Sequence, residues 1–136
     1  MADWLFSGWL ERLPTLKLAY SEGQIGWIPY ILERADNVWE ENRAWGGFGE
    51  NVPEPPSTYY YRQIYGCFFD DKYGLDNLEK VGVDNICFET DYPHSDSTWP
   101  HSKEVAEKLM GHLPEDVIYK LMRGNAIEML GLDFDK

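Results

Sequence analysis

Asp91, in the string Thr90-Asp91-Tyr92-Pro93-His94, is the residue of this sequence best placed to do chemistry. It closes the mostly apolar run Ile86-Cys87-Phe88-Glu89-Thr90. A carboxylate at the end of a strand can ligate a hard or borderline metal ion, or take a proton from a water that a metal has activated. The plainer alternative is a salt-bridged cap of the following loop. Two other apolar runs also end in acids: Leu16-Lys17-Leu18-Ala19-Tyr20 leads to Ser21-Glu22-Gly23, and Ile64 to Phe69 leads to Asp70-Asp71. Carboxylates in such places also cap helices, a reading as good as catalysis for Asp70 and Asp71. Glu22 is a poor cap type, and Gly23 behind it permits a tight turn, so Glu22 is the second catalytic candidate.

His94 follows Asp91 in a proline-containing loop, where a spacing of three residues gives no shared helical face. Spacing therefore does not make the two a metal pair. His94 is expected to contact substrate or loop backbone, with a solvated histidine as the alternative. Trp99, with Trp45 and Phe48, is a candidate for a pocket mouth, whereas His101 and His112 read as surface or helix-end residues. The sequence holds no His-x-His, Cys-x-x-Cys, Gly-x-Gly-x-x-Gly or Gly-x-Ser-x-Gly, and only 3 histidines. A metal held by Asp91 must take most of its ligands from outside this sequence or from another chain.

These residues need a scaffold, and 136 residues suit one domain of ordinary size, about 100–150 residues. Hydrophobic residues make up 43% and aromatics 15%, which is too apolar for a disordered chain. Lys plus Arg is 12 against 24 for Asp plus Glu, a formal charge of −12. That balance excludes the basic face a nucleic-acid binder needs, and it disfavours anionic substrates by long-range attraction. No apolar run approaches the roughly 20 residues of a membrane span, and the start lacks a signal-peptide pattern, so a cytoplasmic protein is expected. Cys67 and Cys87 lie in strand-like apolar runs and read as reduced core residues.

The elements alternate. A helix over 2–13 is followed by a strand over 16–20 and a helix over 25–45. A Gly/Pro-rich loop then leads to a short helix near 59–62, for which Ser57 or Thr58 is the expected cap. Strands over 64–69 and 86–90 bracket a short helix over 75–81. Helices follow over 102–110 and 115–122, and Gly124-Asn125 separates the last from a helix over 126–130. The strands are continuously apolar, which predicts a parallel sheet covered by helices on both faces. Three such strands are too few for a self-contained α/β domain, and a (β/α)8 barrel takes roughly 250 residues. The chain reads as one body, 1–136, comprising the last three βα units of such a barrel.

Longer strings support the same reading. Leu13-Pro14-Thr15-Leu16-Lys17-Leu18 with Ser21-Glu22-Gly23-Gln24-Ile25-Gly26-Trp27-Ile28-Pro29-Tyr30 resembles the sixth strand and helix of the amidohydrolase-related family. Ile86 to His94 resembles its eighth strand, and Arg123-Gly124-Asn125-Ala126 with Leu130-Gly131-Leu132 its closing helix. The resemblance runs from about Trp4 to Leu132. It implies an α/β fold that is a partial (β/α)8 TIM barrel, matching strands 6–8 plus C-terminal helices. It also implies a divalent metal, commonly zinc, at the C-terminal mouth. Of the family's ligands only the eighth-strand aspartate has a counterpart, Asp91. Glu22 stands where decarboxylase members place a histidine.

The resemblance implies a metal-dependent hydrolase acting on a small carbonyl or carboxylate substrate through a metal-activated water. Asp91 and Glu22 would be catalytic, Asp91 also a metal ligand, and His94 and Trp99 substrate contacts. A decarboxylase or hydratase is the alternative within the same class. A non-catalytic truncated barrel is the alternative outside it, working only by association with itself or with an N-terminal partner segment. A small flavodoxin-like binding domain is a weaker third reading, because no strand-to-helix loop has a phosphate-cradling pattern.

Overall fold

Gly8 divides the N-terminal helical segment in two. Its φ of +75° ends helix α1 (Ala2–Phe6) and starts α2 (Trp9–Arg12), and a Cβ there would lie 2.9 Å from the Asn51 side chain. The single helix expected over 2–13 is therefore broken at its glycine. In this computed structural model the described residues are 1–134. They form strands β1 (Leu18–Tyr20), β2 (Ile64–Phe68) and β3 (Ile86–Phe88). The remaining helices are α3 (Ile28–Asn42), α4 (Pro56–Gln63), α5 (Lys72–Asp76), α6 (Leu78–Val81), α7 (Ser102–Met110), α8 (Glu115–Tyr119) and α9 (Asn125–Leu130).

The chain divides into two compact units: Met1–Leu18 with Trp27–Ile64, and Ala19–Gly26 with Tyr65 onward. In the first, α3 starts with Pro29 in its first turn and buries Ile28, Leu32, Ala35 and Trp39, one face of a 3.6-residue period. The Trp39 indole N–H donates to Val52 O at 2.8 Å. The Asp36 carboxylate of α3 accepts the Ser57 N–H at 2.8 Å, so α4 is capped from a neighbouring helix and not by Ser57 or Thr58. The buried Gln63 amide donates to Leu13 O and Leu16 O at 2.8 and 3.1 Å, satisfying turn carbonyls that lack ladder partners.

The second unit holds most of the sheet, whose order is β1-β2-β3. β2 and β3 run parallel, with Gly66 opposite Ile86, Cys67 opposite Cys87 and Phe68 opposite Phe88. Only β2 is buried along its whole length; β1 and β3, the outer strands of the described sheet, keep partly exposed positions. The expected separation at Gly124-Asn125 does not occur. Both residues are helical, and the π-type turn Lys120–Gly124 joins α8 to α9. A Cβ at Gly124 would lie 2.9 Å from the Tyr119 ring, and the Asn125 amide donates to Val83 O and Ile86 O at 2.7 Å each. Glycine here gives room for a side chain, and asparagine ties the helix to the start of β3.

Both cysteines are buried free thiols. Burial first, then the nearby Glu89 charge, pushes Cys67 up to about 12 and Cys87 up to about 11 from the ordinary 9.0. At pH 8 both should resist a maleimide in the folded chain and react on addition of denaturant. The unfolded chain ionises its thiols first, so their stabilising contribution is whole below about pH 9 and lost as pH rises to about 11 for Cys87 and about 12 for Cys67. Unfolding followed across that window should lose stability with rising pH, and a Cys67→Ala, Cys87→Ala double variant should have a flatter profile. Ready labelling of the native chain at pH 8 would contradict the burial of this pair.

Candidate metal and acid–base site

The chain segments that follow the three strands carry the acids, and each is held differently. Asp71 is the side-chain cap of α5, accepting the Gly74 N–H at 2.8 Å. Its other oxygen accepts the Ile25 and Gly26 N–H groups at 2.8 and 2.5 Å. Asp71 is thus a structural carboxylate that fixes the far end of the loop after β1. Asp70 is exposed.

Asp91 and Glu22 have left-handed backbones, with φ of +56° and +61°, and Gln24 has +54°. These are the positive-φ non-glycine residues among the described residues, and all three lie in the loops after β1 and β3. Such conformations cost about 1–3 kcal/mol each and cluster at functional sites. The turn at Asp91 brings His94 back upon it. The His94 N–H donates to Asp91 O at 2.9 Å, and the ring Nδ1 lies 2.7 Å from Asp91 Oδ1. The spacing argument against an Asp91–His94 pair therefore fails, because a tight turn does here what a helical face would otherwise do. Glu22 Oε1 is 3.6 Å from the same Nδ1.

The Asp91 side chain is 10% exposed, against 58% for His94 and 55% for Glu22, so a sheltered carboxylate faces two hydrated partners. The Asp91 hydrogen bond, then its charge, then that of Glu22, raise the His94 pKa above the ordinary 6.5. A cavity of about 370 Å³ is lined by Glu22, Phe69, Asp91, His94, Ser95 and Asp96. Phe69 supplies its apolar wall and keeps its place through its N–H, which donates to Gln24 Oε1 at 3.2 Å.

One donor atom from each of Glu22, Asp91 and His94 lies within 4.8 Å of the others. Bonds of about 2.0–2.2 Å to a common ion put donors no more than about 4.4 Å apart. The two His94 approaches, 2.7 Å from Nδ1 to Asp91 Oδ1 and 3.6 Å from Nδ1 to Glu22 Oε1, lie inside that limit. Two carboxylate oxygens and an imidazole suit zinc, manganese or iron(II), so the residues fit a divalent metal and leave coordination positions for other ligands.

Trp99 is not a wall of this cavity. Its ring packs edge-on against Tyr92 with centroids 5.2 Å apart, and both rings are exposed. Glu89 is the site residue that sequence reasoning passed over. Its two oxygens accept the Ser21 hydroxyl and the Glu22 N–H, each at 2.6 Å. Two-residue alternation puts Glu89 on the same side of its strand as Cys87, which was the available signal.

Comparison with known proteins gives three findings. The model of the family described as amidohydrolase matches residues 1–132. A solved 5-carboxyvanillate decarboxylase from Sphingomonas paucimobilis is similar in fold, with TM-score 0.78 and 23% identity over 97% of this chain and 38% of that one. A solved amidohydrolase from Mycobacterium avium subsp. paratuberculosis has TM-score 0.79 and 23% identity, over 99% of this chain and 33% of that one. The chain therefore spans 38% and 33% of the length of these structures. No curated protein sequence matches it. The arrangement is α/β, a partial (β/α)8 barrel. No helix among the described residues is long and apolar enough to cross a membrane.

Proposed function

The chain belongs to the amidohydrolase family, and on that premise we propose that it supplies the C-terminal part of a divalent-metal site acting on a small carbonyl or carboxylate compound. The observation that carries this reading is the convergence of Glu22, Asp91 and His94, from two different loops, on one cavity. Family members are enzymes, and the proposal extends enzymatic chemistry to this chain when the rest of a barrel is present.

A bound divalent ion, zinc by family habit, would polarise the substrate oxygen and lower the pKa of a water in the site. Asp91 would hold the ion. The remaining steps belong to side chains. His94, whose Nδ1 lies 2.7 Å from Asp91 Oδ1, would complete the donor set with Asp91 and Glu22. Glu22 orients the nucleophile or accepts its proton. Phe69 excludes water from one side of the cavity. Hydrolysis follows the family description; decarboxylation is the alternative within the same site and follows the 5-carboxyvanillate decarboxylase.

A second reading, a non-catalytic partial barrel, draws on β1 and β3, which stand outermost in the described sheet, where strand edges invite pairing. We propose strands from an N-terminal segment, or a second copy of the chain, as the partner of those edges. The reading is tested by equilibrating the purified chain with zinc, desalting it and counting metal. Retention near one zinc per chain supports a site assembled around Asp91. Complete loss means that these residues do not hold an ion without further strands, and it favours the non-catalytic reading for the chain alone.

A further inference from the structure

We propose that Glu89 is the positioning residue of this site: its carboxylate clamps the Ser21–Glu22 turn and so sets where the Glu22 carboxylate stands relative to Asp91 and His94. The proposal rests on the metal-site reading for its consequence and on the hydrogen bonds themselves for its geometry. Glu89 reaches across from the end of β3 to the loop after β1, spanning 67 and 68 residues of sequence in two bonds of 2.6 Å. Its own N–H donates to Phe68 O at 2.8 Å, which continues the β2–β3 pairing and fixes its backbone. The carboxylate thus acts from a rigid strand on a loop.

That loop needs holding. Glu22 has φ +61° and Gln24 has φ +54°, conformations that neither residue type favours. Three side chains from the other two strand ends and the loop itself oppose relaxation. Glu89 takes the Ser21 hydroxyl and Glu22 N–H, Gln24 Oε1 takes the Phe69 N–H, and Asp71 takes the Ile25 and Gly26 N–H groups. Of these, only the Glu89 bonds fall on Glu22 and its immediate neighbour. Charge-assisted bonds from a carboxylate to N–H and O–H donors are short and roughly twice as strong as neutral ones. They also give Glu89 a role distinct from that of a ligand, since both its oxygens are engaged.

The test uses Glu89→Gln and Glu89→Ala in the full chain, with two readouts. Nuclear magnetic resonance of the metal-free chain follows the Glu22 amide shift, its hydrogen exchange and the backbone couplings that report its φ. Calorimetric titration with Mn2+ follows the metal, beside an Asp91→Asn control. The expected result in Glu89→Ala is a Glu22 that leaves the left-handed region, faster exchange of its amide, and Mn2+ affinity lower by about 10- to 100-fold, the usual effect of losing a residue that orients a ligand. Glu89→Gln, which retains one acceptor oxygen, should keep the Glu22 backbone and recover part of the affinity. An unchanged Glu22 backbone in Glu89→Ala overturns the proposal. So does a displaced Glu22 with unchanged Mn2+ affinity where Asp91→Asn abolishes binding. If the wild-type chain takes up no Mn2+, the metal-site reading for the chain alone falls, and the Glu22 backbone by itself decides the claim about Glu89.

Discussion

Asp91→Ala is expected to remove divalent-metal retention from the chain while leaving its fold in place. Asp91 is the sheltered member of the donor set, 10% exposed, and both other donors are arranged around it. Removing it takes away a ligand and also the hydrogen-bond partner that holds His94 Nδ1 at 2.7 Å. The loss should exceed the 10- to 100-fold that follows from removing a residue that only orients a ligand. A second consequence is visible without metal. The Asp91 hydrogen bond and charge are the leading causes of the raised His94 pKa, so the variant should let His94 titrate closer to 6.5. His94 Hε1 and Hδ2 shifts followed against pH give both midpoints. An unmoved midpoint would mean that the pair does not form in solution.

Asp71→Ala is expected to give the largest loss of stability among the acids that follow the strands, with a much smaller direct effect on metal binding. One carboxylate accepts the backbone N–H groups of Ile25, Gly26 and Gly74, at 2.8, 2.5 and 2.8 Å. Hydrogen bonds to charged groups contribute about 1.5–3 kcal/mol each, and they do not add fully. Loss of about 3 kcal/mol or more is therefore expected in urea unfolding. Asp71→Asn should fall between, since an amide keeps one acceptor. Space is tight around the carboxylate as well: a Cβ on Gly26 would lie 3.0 Å from Asp71 Oδ1. A stability within about 0.5 kcal/mol of wild type, the range of ordinary surface changes, would contradict this assignment.

The contrast between these two acids shows where the sequence is informative and where it is not. Apolar runs mark where β2 and β3 begin but extend past their ends at Phe68 and Phe88, and the helix over 102–110 matches α7 at both ends, since His101-Ser102 and Gly111 bound it. Boundaries slip where a backbone preference is overruled by a distant contact. Gly8 breaks a helix because Asn51 sits against it, and Gly124 fails to break one because Tyr119 fills the space a side chain would need. The acids after the strands are visible as acids, but their roles depend on partners far away in sequence. Asp71 is fixed by Ile25 and Gly26, about 45 residues away, and Glu89 by Ser21 and Glu22. His94 was separated from Asp91 by a rule of helical spacing that a left-handed residue at Asp91 evades. Trp99 is a pocket-mouth candidate by type, and its ring packs against Tyr92.

The central claim is that Glu22, Asp91 and His94 meet on one divalent ion. Crystals of the chain grown with Mn2+, with diffraction recorded above and below the manganese absorption edge, test it most directly. An anomalous peak within about 2.0–2.4 Å of an Asp91 oxygen, with Glu22 or His94 also coordinating, is the expected result. A peak held by other acids, or none while His94 Nδ1 stays on Asp91 Oδ1, would contradict it and leave the three residues as a hydrogen-bonded surface cluster.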